Sequence, residues 1–262
     1  VHPVSDIDRE RLLLHVELSG AKGGEELRIR VLDEDKQIVE KSELFSAGKE
    51  IVLNIPSPKL WSPNTPELYG LEILLYRDNK LLDRVDSYFA MRKISIGRDE
   101  QGFQQIRLNN EPIFQYGTLD QGWWPDGLLT PPSEEAMRYD MEVLKSMGFN
   151  MLRKHIKVEP SRYYYYADSL GLLVWQDIVS GFESAKAGQQ HVKWNAPNDW
   201  DRPKESAMQF EYEMKEEMDH LKFFPSIVTW VIFNEGWGQY DTKRIVEWAM
   251  SHDTSRLVDG AS

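Results

Sequence analysis

The chain contains no cysteine in its 262 residues. That excludes disulfide staples and thiolate metal sites, and it leaves the redox compartment undetermined. No apolar run reaches membrane-spanning length, and no signal-peptide pattern opens the chain. The sequence therefore predicts a soluble protein, either cytoplasmic or exported to a bacterial periplasm or medium. Basic residues are outnumbered, 31 against 43 acidic ones, for a net charge of −12. An acidic chain of this kind is a poor partner for nucleic acid or an anionic membrane, both of which want a basic face. Neither GxGxxG nor GxxxxGK[ST] is present, which weakens a nucleotide-binding reading. The six histidines are scattered, with no HxxxH or HExxH pair, so neither a metal nor another cofactor is expected.

What the chain does have is material for a large packed core, with 41% hydrophobic and 11% aromatic residues. Its patterning changes along the length. Up to about residue 92, Leu12, Leu14, Val16 and Leu18 alternate with other side chains. So do Leu27, Ile29 and Val31, then Ile51, Leu53 and Ile55, then Leu71, Ile73 and Leu75. Period-2 alternation marks half-buried strands. Turn signals separate them, notably Gly20 to Gly24 and the Pro-rich Pro56 to Pro66. Six or seven short strands in such a span predict an immunoglobulin-like β-sandwich domain over residues 1–92.

The remainder, 93–262, alternates short apolar runs with helical stretches. Ile113 to Thr118, Phe149 to Arg153, Leu172 to Gln176, Ile227 to Phe233 and a weaker Arg256 to Asp259 are the candidate strands. Between them, Ser133 can cap a helix that ends at Gly148, and Ser161 to Leu170 forms a second helix closed by Gly171. Pro203 suits the first position of a third helix, with the stripe Phe210, Met214, Met218 and Leu221. Asp241 is placed to cap a fourth, running to about Met250. Repetition of this type builds parallel βαβ units, in a doubly wound sheet or a (β/α)8 barrel. In a barrel the chemistry sits at the C-terminal ends of the strands.

The strand ends carry Asp120, Trp123 and Trp124; then Arg153, Lys154 and His155; then Trp175, Gln176 and Asp177; then Asn234, Glu235 and Trp237. Carboxylates, planar hydrogen-bonding groups and indoles together suit a carbohydrate, which offers hydroxyls at its edges and a C–H face for stacking. Glu235 follows the run Trp230 to Phe233, which reads as a strand buried on both faces. An acid held beside such an apolar wall would keep its proton near neutral pH. The plainer alternative is a strand-end acid that meets water. Trp175 sits mid-run and also suits a core; Asp177 could cap the next segment, and His155 could be a paired structural histidine. Tyr163 to Tyr166 lie on a helix, as packing.

These segments resemble glycoside hydrolase family 2, the β-galactosidase, β-glucuronidase and β-mannosidase group. Leu60-Trp61-Ser62-Pro63-Asn64-Thr65-Pro66-Glu67-Leu68-Tyr69 is similar to the family's late immunoglobulin-domain signature. Gly148 to Arg153 resembles its second barrel strand and Gly171 to Asp177 its third, while Phe233-Asn234-Glu235 matches the motif at the end of the fourth. Many relatives read Arg-x-x-His where this chain has Arg153-Lys154-His155, and many carry Glu at the place of Asp177. The resemblance implies an immunoglobulin-like β-sandwich followed by an incomplete (β/α)8 TIM-type barrel of about five strands. It implies a retaining, exo-acting β-glycosidase with Glu235 as acid/base. Asn234 would contact the sugar 2-hydroxyl, Arg153 would steady the nucleophile, and His155, Asp120, Trp123, Trp175, Asp177 and Trp237 would line the sugar site. Relatives carry the nucleophilic Glu on strand seven and begin with a further sugar-binding domain. The chain is therefore expected to be part of a larger enzyme, lacking the nucleophile and inactive alone. A non-catalytic carbohydrate-binding protein on the same scaffold is the alternative. The expected partner is a β-glycoside, and a homo-oligomer is left open.

Overall fold

A computed structural model describes residues 1–180, 199, 201–236 and 238–261. The chain divides into two compact units, Val1–Pro112 and Ile113–Ser262. In the first, strands β1 (His2–Asp6), β2 (Arg11–His15) and β5 (Ile51–Asn54) form one antiparallel sheet in the order β1-β2-β5. Strands β3 (Glu26–Asp33), β4 (Lys36–Leu44), β6 (Tyr69–Arg77) and β7 (Lys80–Phe89) form a second, ordered β4-β3-β6-β7. The alternating apolar residues meet in one core: Leu12 and Leu14 with Leu27, Ile29, Leu53, Leu71, Ile73 and Phe89. Seven strands in a two-sheet sandwich agree with the six or seven expected, and the four alternating runs fall on β2, β3, β5 and β6.

The segment between β5 and β6 is a locked turn. Trp61 is fully buried and its N–H donates to the Met91 carbonyl at 2.9 Å. Ser62 and Thr65 exchange backbone bonds at 2.9 and 3.1 Å, and the Lys59 N–H donates to the Tyr69 hydroxyl at 2.7 Å. A small third sheet, β8 (Ile94–Arg98), β9 (Gln104–Leu108) and β10 (Glu111–Pro112), completes this unit.

The second unit is a five-stranded parallel sheet in sequence order: β11 (Gly117–Asp120), β12 (Met151–Lys154), β13 (Leu173–Asp177), β14 (Ile227–Phe233) and β15 (Leu257–Ala261). Helices α1 (Glu134–Ser146), α2 (Ser161–Leu170), α3 (Lys204–Leu221) and α4 (Thr242–His252) connect successive strands. Every residue of β14 is buried, as its unbroken apolar run requires. The first strand lies later than predicted. Phe114 and Tyr116, apolar in sequence, are exposed and outside it.

Ser133 caps α1, its hydroxyl accepting from the Ala136 N–H at 3.1 Å, and Gly171 closes α2 in the left-handed conformation, φ 74°. The α3 stripe of Phe210, Met214, Met218 and Leu221 is buried as predicted, but Pro203 precedes the helix instead of occupying its first position. No described helix is long and apolar enough to cross a membrane.

Candidate active site

Three neighbouring strand ends converge on one guanidinium. Successive strand residues face opposite sides of a sheet, so Arg153 and Lys154 at the end of β12 must diverge. Arg153 turns to the side of Asp177 and Asn234. Its Nε donates to Asp177 Oδ1 at 2.9 Å and its Nη2 to Asp177 Oδ2 at 3.1 Å, a bidentate fork. The same Nη2 donates to Asn234 Oδ1 at 3.0 Å. Asp177 is fully buried and Asn234 nearly so.

The turn after β12 is shaped to serve this group. Ile156 sits at φ 36°, in the left-handed region that β-branched residues avoid. Its backbone dipole pulls the Asp177 pKa downward. Burial raises the pKa of Asp177 above the ordinary carboxylate range, against the opposing pull of Arg153, His155 and the Ile156 N–H. The cost of holding Ile156 there is on the order of 1–3 kcal/mol, the kind of local strain that clusters at functional positions.

Lys154 faces the helices. It is fully buried, and its Nζ lies 2.9 Å from Asp120 Oδ2 and 2.6 Å from Glu159 Oε1. The ammonium also sits 4.5 Å from the Tyr163 ring centroid, and the Tyr163 hydroxyl donates to Asp120 Oδ2 at 2.8 Å. Lys157 reaches Glu159 at 2.7 Å. Gly122 allows this approach: φ is 69°, and a Cβ there would lie 2.7 Å from Lys157 Nζ and 2.8 Å from Glu159 Oε1. Burial alone would raise the Asp120 pKa. The charge of Lys154 and the Tyr163 and Gly122 donors outweigh it, and the net shift is downward.

The sequence-predicted residues thus separate. Arg153, Asp177 and Asn234 form one hydrogen-bonded group, with Glu235 next in the chain. Asp120 belongs instead to the Lys154 network, on the face away from Arg153. Trp123 is exposed at 65% and, with Trp124, lines a cavity of about 640 Å³ that also touches Asp120, Lys154 and Tyr163. The Trp175 indole N–H donates to Gln115 Oε1. The His155 N–H donates to the Asp120 carbonyl at 3.0 Å, and its ring is partly exposed. Trp237 lies outside the described residues.

Glu235 departs from expectation. It is exposed, at φ 49° within the single 3-10 turn Asn234–Gly236, and not buried against an apolar wall. The strand stops at Phe233, and the turn that follows carries the carboxylate out of the core.

The sequence reading passed over Glu159 and Glu217, took Tyr163 as packing, and named Gln176 at a strand end without giving it a part. Gln176 Nε2 donates to Glu217 Oε1 at 3.2 Å, and the Tyr164 hydroxyl donates to Gln176 Oε1 at 2.8 Å. Alternation carried the signal. A lysine directly after Arg153 has to face the helices, where a buried charge requires partners. Among the described residues no three His, Asp or Glu side chains converge to hold a metal ion.

Comparison with known proteins extends this geometry. Residues 1–92 match the family described as "Glycosyl hydrolases family 2", and residues 131–261 match "Glycosyl hydrolases family 2, TIM barrel domain". A putative β-glucuronidase of Formosa agariphila is 27% identical over 226 residues, covering 85% of this chain and 20% of that protein. A β-galactosidase of Lactococcus lactis is 27% identical over 229 residues, covering 87% of this chain and 21% of that one. Among solved structures, a β-glycosidase from Bacteroides vulgatus superposes with a TM-score of 0.81 at 21% identity, over 98% of this chain and 32% of its own. The β-D-glucuronidase of Dictyoglomus thermophilum gives 0.75 at 19% identity, over 98% and 42%. The chain therefore spans a fifth to two fifths of the length of these relatives.

Proposed function

The chain belongs to glycosyl hydrolase family 2, and from that premise we propose that it carries the acid/base half of a retaining β-glycosidase site. The parallel sheet β11 to β15 supplies the first strands of the family's TIM barrel, whose family match covers residues 131–261, with an immunoglobulin-like sandwich before it in the chain. The observation that supports the assignment is the Arg153 fork, which ties the ends of β12, β13 and β14 together immediately beside Glu235.

In a retaining glycosidase two carboxyl groups roughly 5 Å apart flank the scissile bond. One protonates the leaving oxygen and later deprotonates water, and the other forms the glycosyl-enzyme. Glu235 takes the first part. Its exposure beyond the end of β14 leaves the carboxyl accessible to a glycosidic oxygen. Asn234 bonds the sugar 2-hydroxyl, a contact that strengthens as the oxocarbenium ion develops. The Arg153 guanidinium orients the nucleophilic carboxylate and its charge keeps that group ionised. The nucleophile itself belongs to a later strand of the family's barrel, so the reaction is a property of the full-length protein.

Glu235→Gln in the full-length protein tests this. Hydrolysis of glycosides with poor leaving groups should fall by about 100-fold or more, the scale of general-acid catalysis. Aryl glycosides with very good leaving groups, which need no protonation, should keep most of their glycosylation rate. An equal loss on both substrate types removes the acid/base assignment.

A further inference from the structure

We propose that Asp177 is a positioning residue, one that holds Arg153 so that the guanidinium fixes which end of the Asn234 amide faces the sugar. This rests on the reading of Asn234 as the group that meets the 2-position. The geometry assigns the role. Asp177 is fully buried, and both its oxygens are engaged by the Arg153 fork at 2.9 and 3.1 Å. The fork alone therefore satisfies one lone pair on each carboxylate oxygen, in a site where burial leaves no room for water. A carboxylate occupied in this way is not a substrate ligand. Its effect passes through Arg153, whose Nη2 donates to Asn234 Oδ1 at 3.0 Å.

That single bond settles the orientation of an otherwise ambiguous side chain. An amide has an acceptor end and a donor end. With Oδ1 held by the guanidinium, the Nδ2 donors lie at the opposite end. The site then selects sugars with an acceptor oxygen at the 2-position. It disfavours a 2-deoxy sugar, which leaves the donors unpaired, and a 2-ammonium sugar, which brings donors against donors.

The test compares nitrophenyl β-glycosides bearing 2-hydroxyl, 2-deoxy and protonated 2-amino groups, on the full-length wild-type enzyme and its variants. Wild type should prefer the 2-hydroxyl substrate in kcat/KM by roughly ten- to a hundred-fold, the range of a hydrogen bond made in the transition state. Asp177→Asn should lose most of that preference, falling mainly on the 2-hydroxyl substrate and mainly in kcat. Asp177→Glu, which keeps the charge, should recover part of it. Asn234→Ala should abolish it, with Asp177→Asn adding nothing further in the double variant. A merely structural Asp177 would lower all three substrates by one factor, and that result overturns the proposal, as does a 2-ammonium glycoside cleaved as well as the 2-hydroxyl one.

Should Asp177→Asn fail to fold, Arg153→Lys keeps the charge and removes the fork. Its effect on the nucleophile lowers all three substrates alike and divides out, so the loss of the 2-hydroxyl preference, read as a ratio, remains the test. Glu235→Gln, run on the same substrates, separates the two levels. If it leaves poor-leaving-group hydrolysis intact, the family assignment of the acid/base fails. If it behaves as expected while Asp177→Asn keeps the 2-hydroxyl preference, only the positioning role fails.

Discussion

Arg153 and Lys154 are adjacent cations with opposite tasks, and the sheet's alternation assigns them. Arg153 stays on the side where Asp177 and Asn234 lie. Lys154 enters the layer beneath α2, where its ammonium is fully enclosed by Asp120, Glu159 and the Tyr163 ring. Such a network is held together by completeness, because removing one member strands the others. Lys154→Met would leave the Glu159 and Asp120 carboxylates short of a buried cation. It should cost about 3 kcal/mol in chemical denaturation, with little sensitivity to salt. A loss below about 0.5 kcal/mol would mean that Lys157 and Tyr163 suffice. At this scale the sequence was legible where chemistry and pattern agreed. It placed Arg153, Asp177 and Asn234 at strand ends, and the structure joins them. It grouped Asp120 with them as well, because strand-end position alone does not distinguish the two faces. Only the β11–β12 register, with Asp120 opposite Lys154, does that. Glu235 was misread for another reason: the apolar run before it implied burial, and the single 3-10 turn that carries it out has no sequence signature.

The elements themselves follow from local signals where those signals are strong. Ser133, Gly148, Gly171 and the α3 stripe mark helix ends and faces through hydrogen-bonding and backbone preferences that need no tertiary context. The fourth helix shows where such signals give out. Asp241 stands at the N-cap of α4, but its backbone is left-handed, φ 42°, and its side chain makes no cap bond. Its carboxylate pairs with Arg244 instead. The cap is supplied by Asp199, far back in the chain, whose Oδ2 accepts from the Thr242 N–H at 3.2 Å while Oδ1 accepts from the Thr242 hydroxyl. A cap from a distant loop satisfies the same orphan donor as a local one, and no local pattern announces it. Asp199→Ala should therefore destabilise the second unit by about 1 kcal/mol, the usual worth of a cap. Asp241→Ala, which loses an exposed ion pair, should cost about half that or less. Thermal melts of the two variants decide between them, and the reverse ranking would return the cap to Asp241.

At the scale of the whole molecule, buried and half-buried acids of opposite kinds set the pH range in which the second unit is stable. Burial works against the Asp253 carboxylate, but the Arg256 charge and the Ser255 and Trp230 donors outweigh it and hold the group well below the ordinary range. Asp219 is lowered likewise, by Lys215, Lys222 and His252 acting against burial. A depressed carboxylate contributes stability that is present above its unfolded pKa, near 4. That contribution is lost as pH falls through the folded value. Glu217 is the reverse case. Burial pushes it up to about 8, against the Val179 N–H and the Gln176 amide. The folded chain keeps a proton there that the unfolded chain releases near 4.3. Its contribution is therefore complete below that value and lost as pH rises through about 8, with a slope of at most ~1.4 kcal/mol per pH unit. Asp177, raised by its own burial, adds to the same limb at its lower end. Stability should peak near pH 5 and decline on both sides, more steeply than self-repulsion of the net charge of −12 would produce. Trp61 is the one tryptophan before residue 113, so fluorescence-detected urea unfolding reports chiefly on the second unit. In that measurement Glu217→Gln should flatten the limb between about pH 5 and pH 8 and leave the acid limb unchanged. The net-charge repulsion is nearly the same in both proteins and cancels in the comparison. Parallel alkaline limbs in wild type and variant would show that Glu217 ionises in the folded chain at the ordinary carboxylate pH.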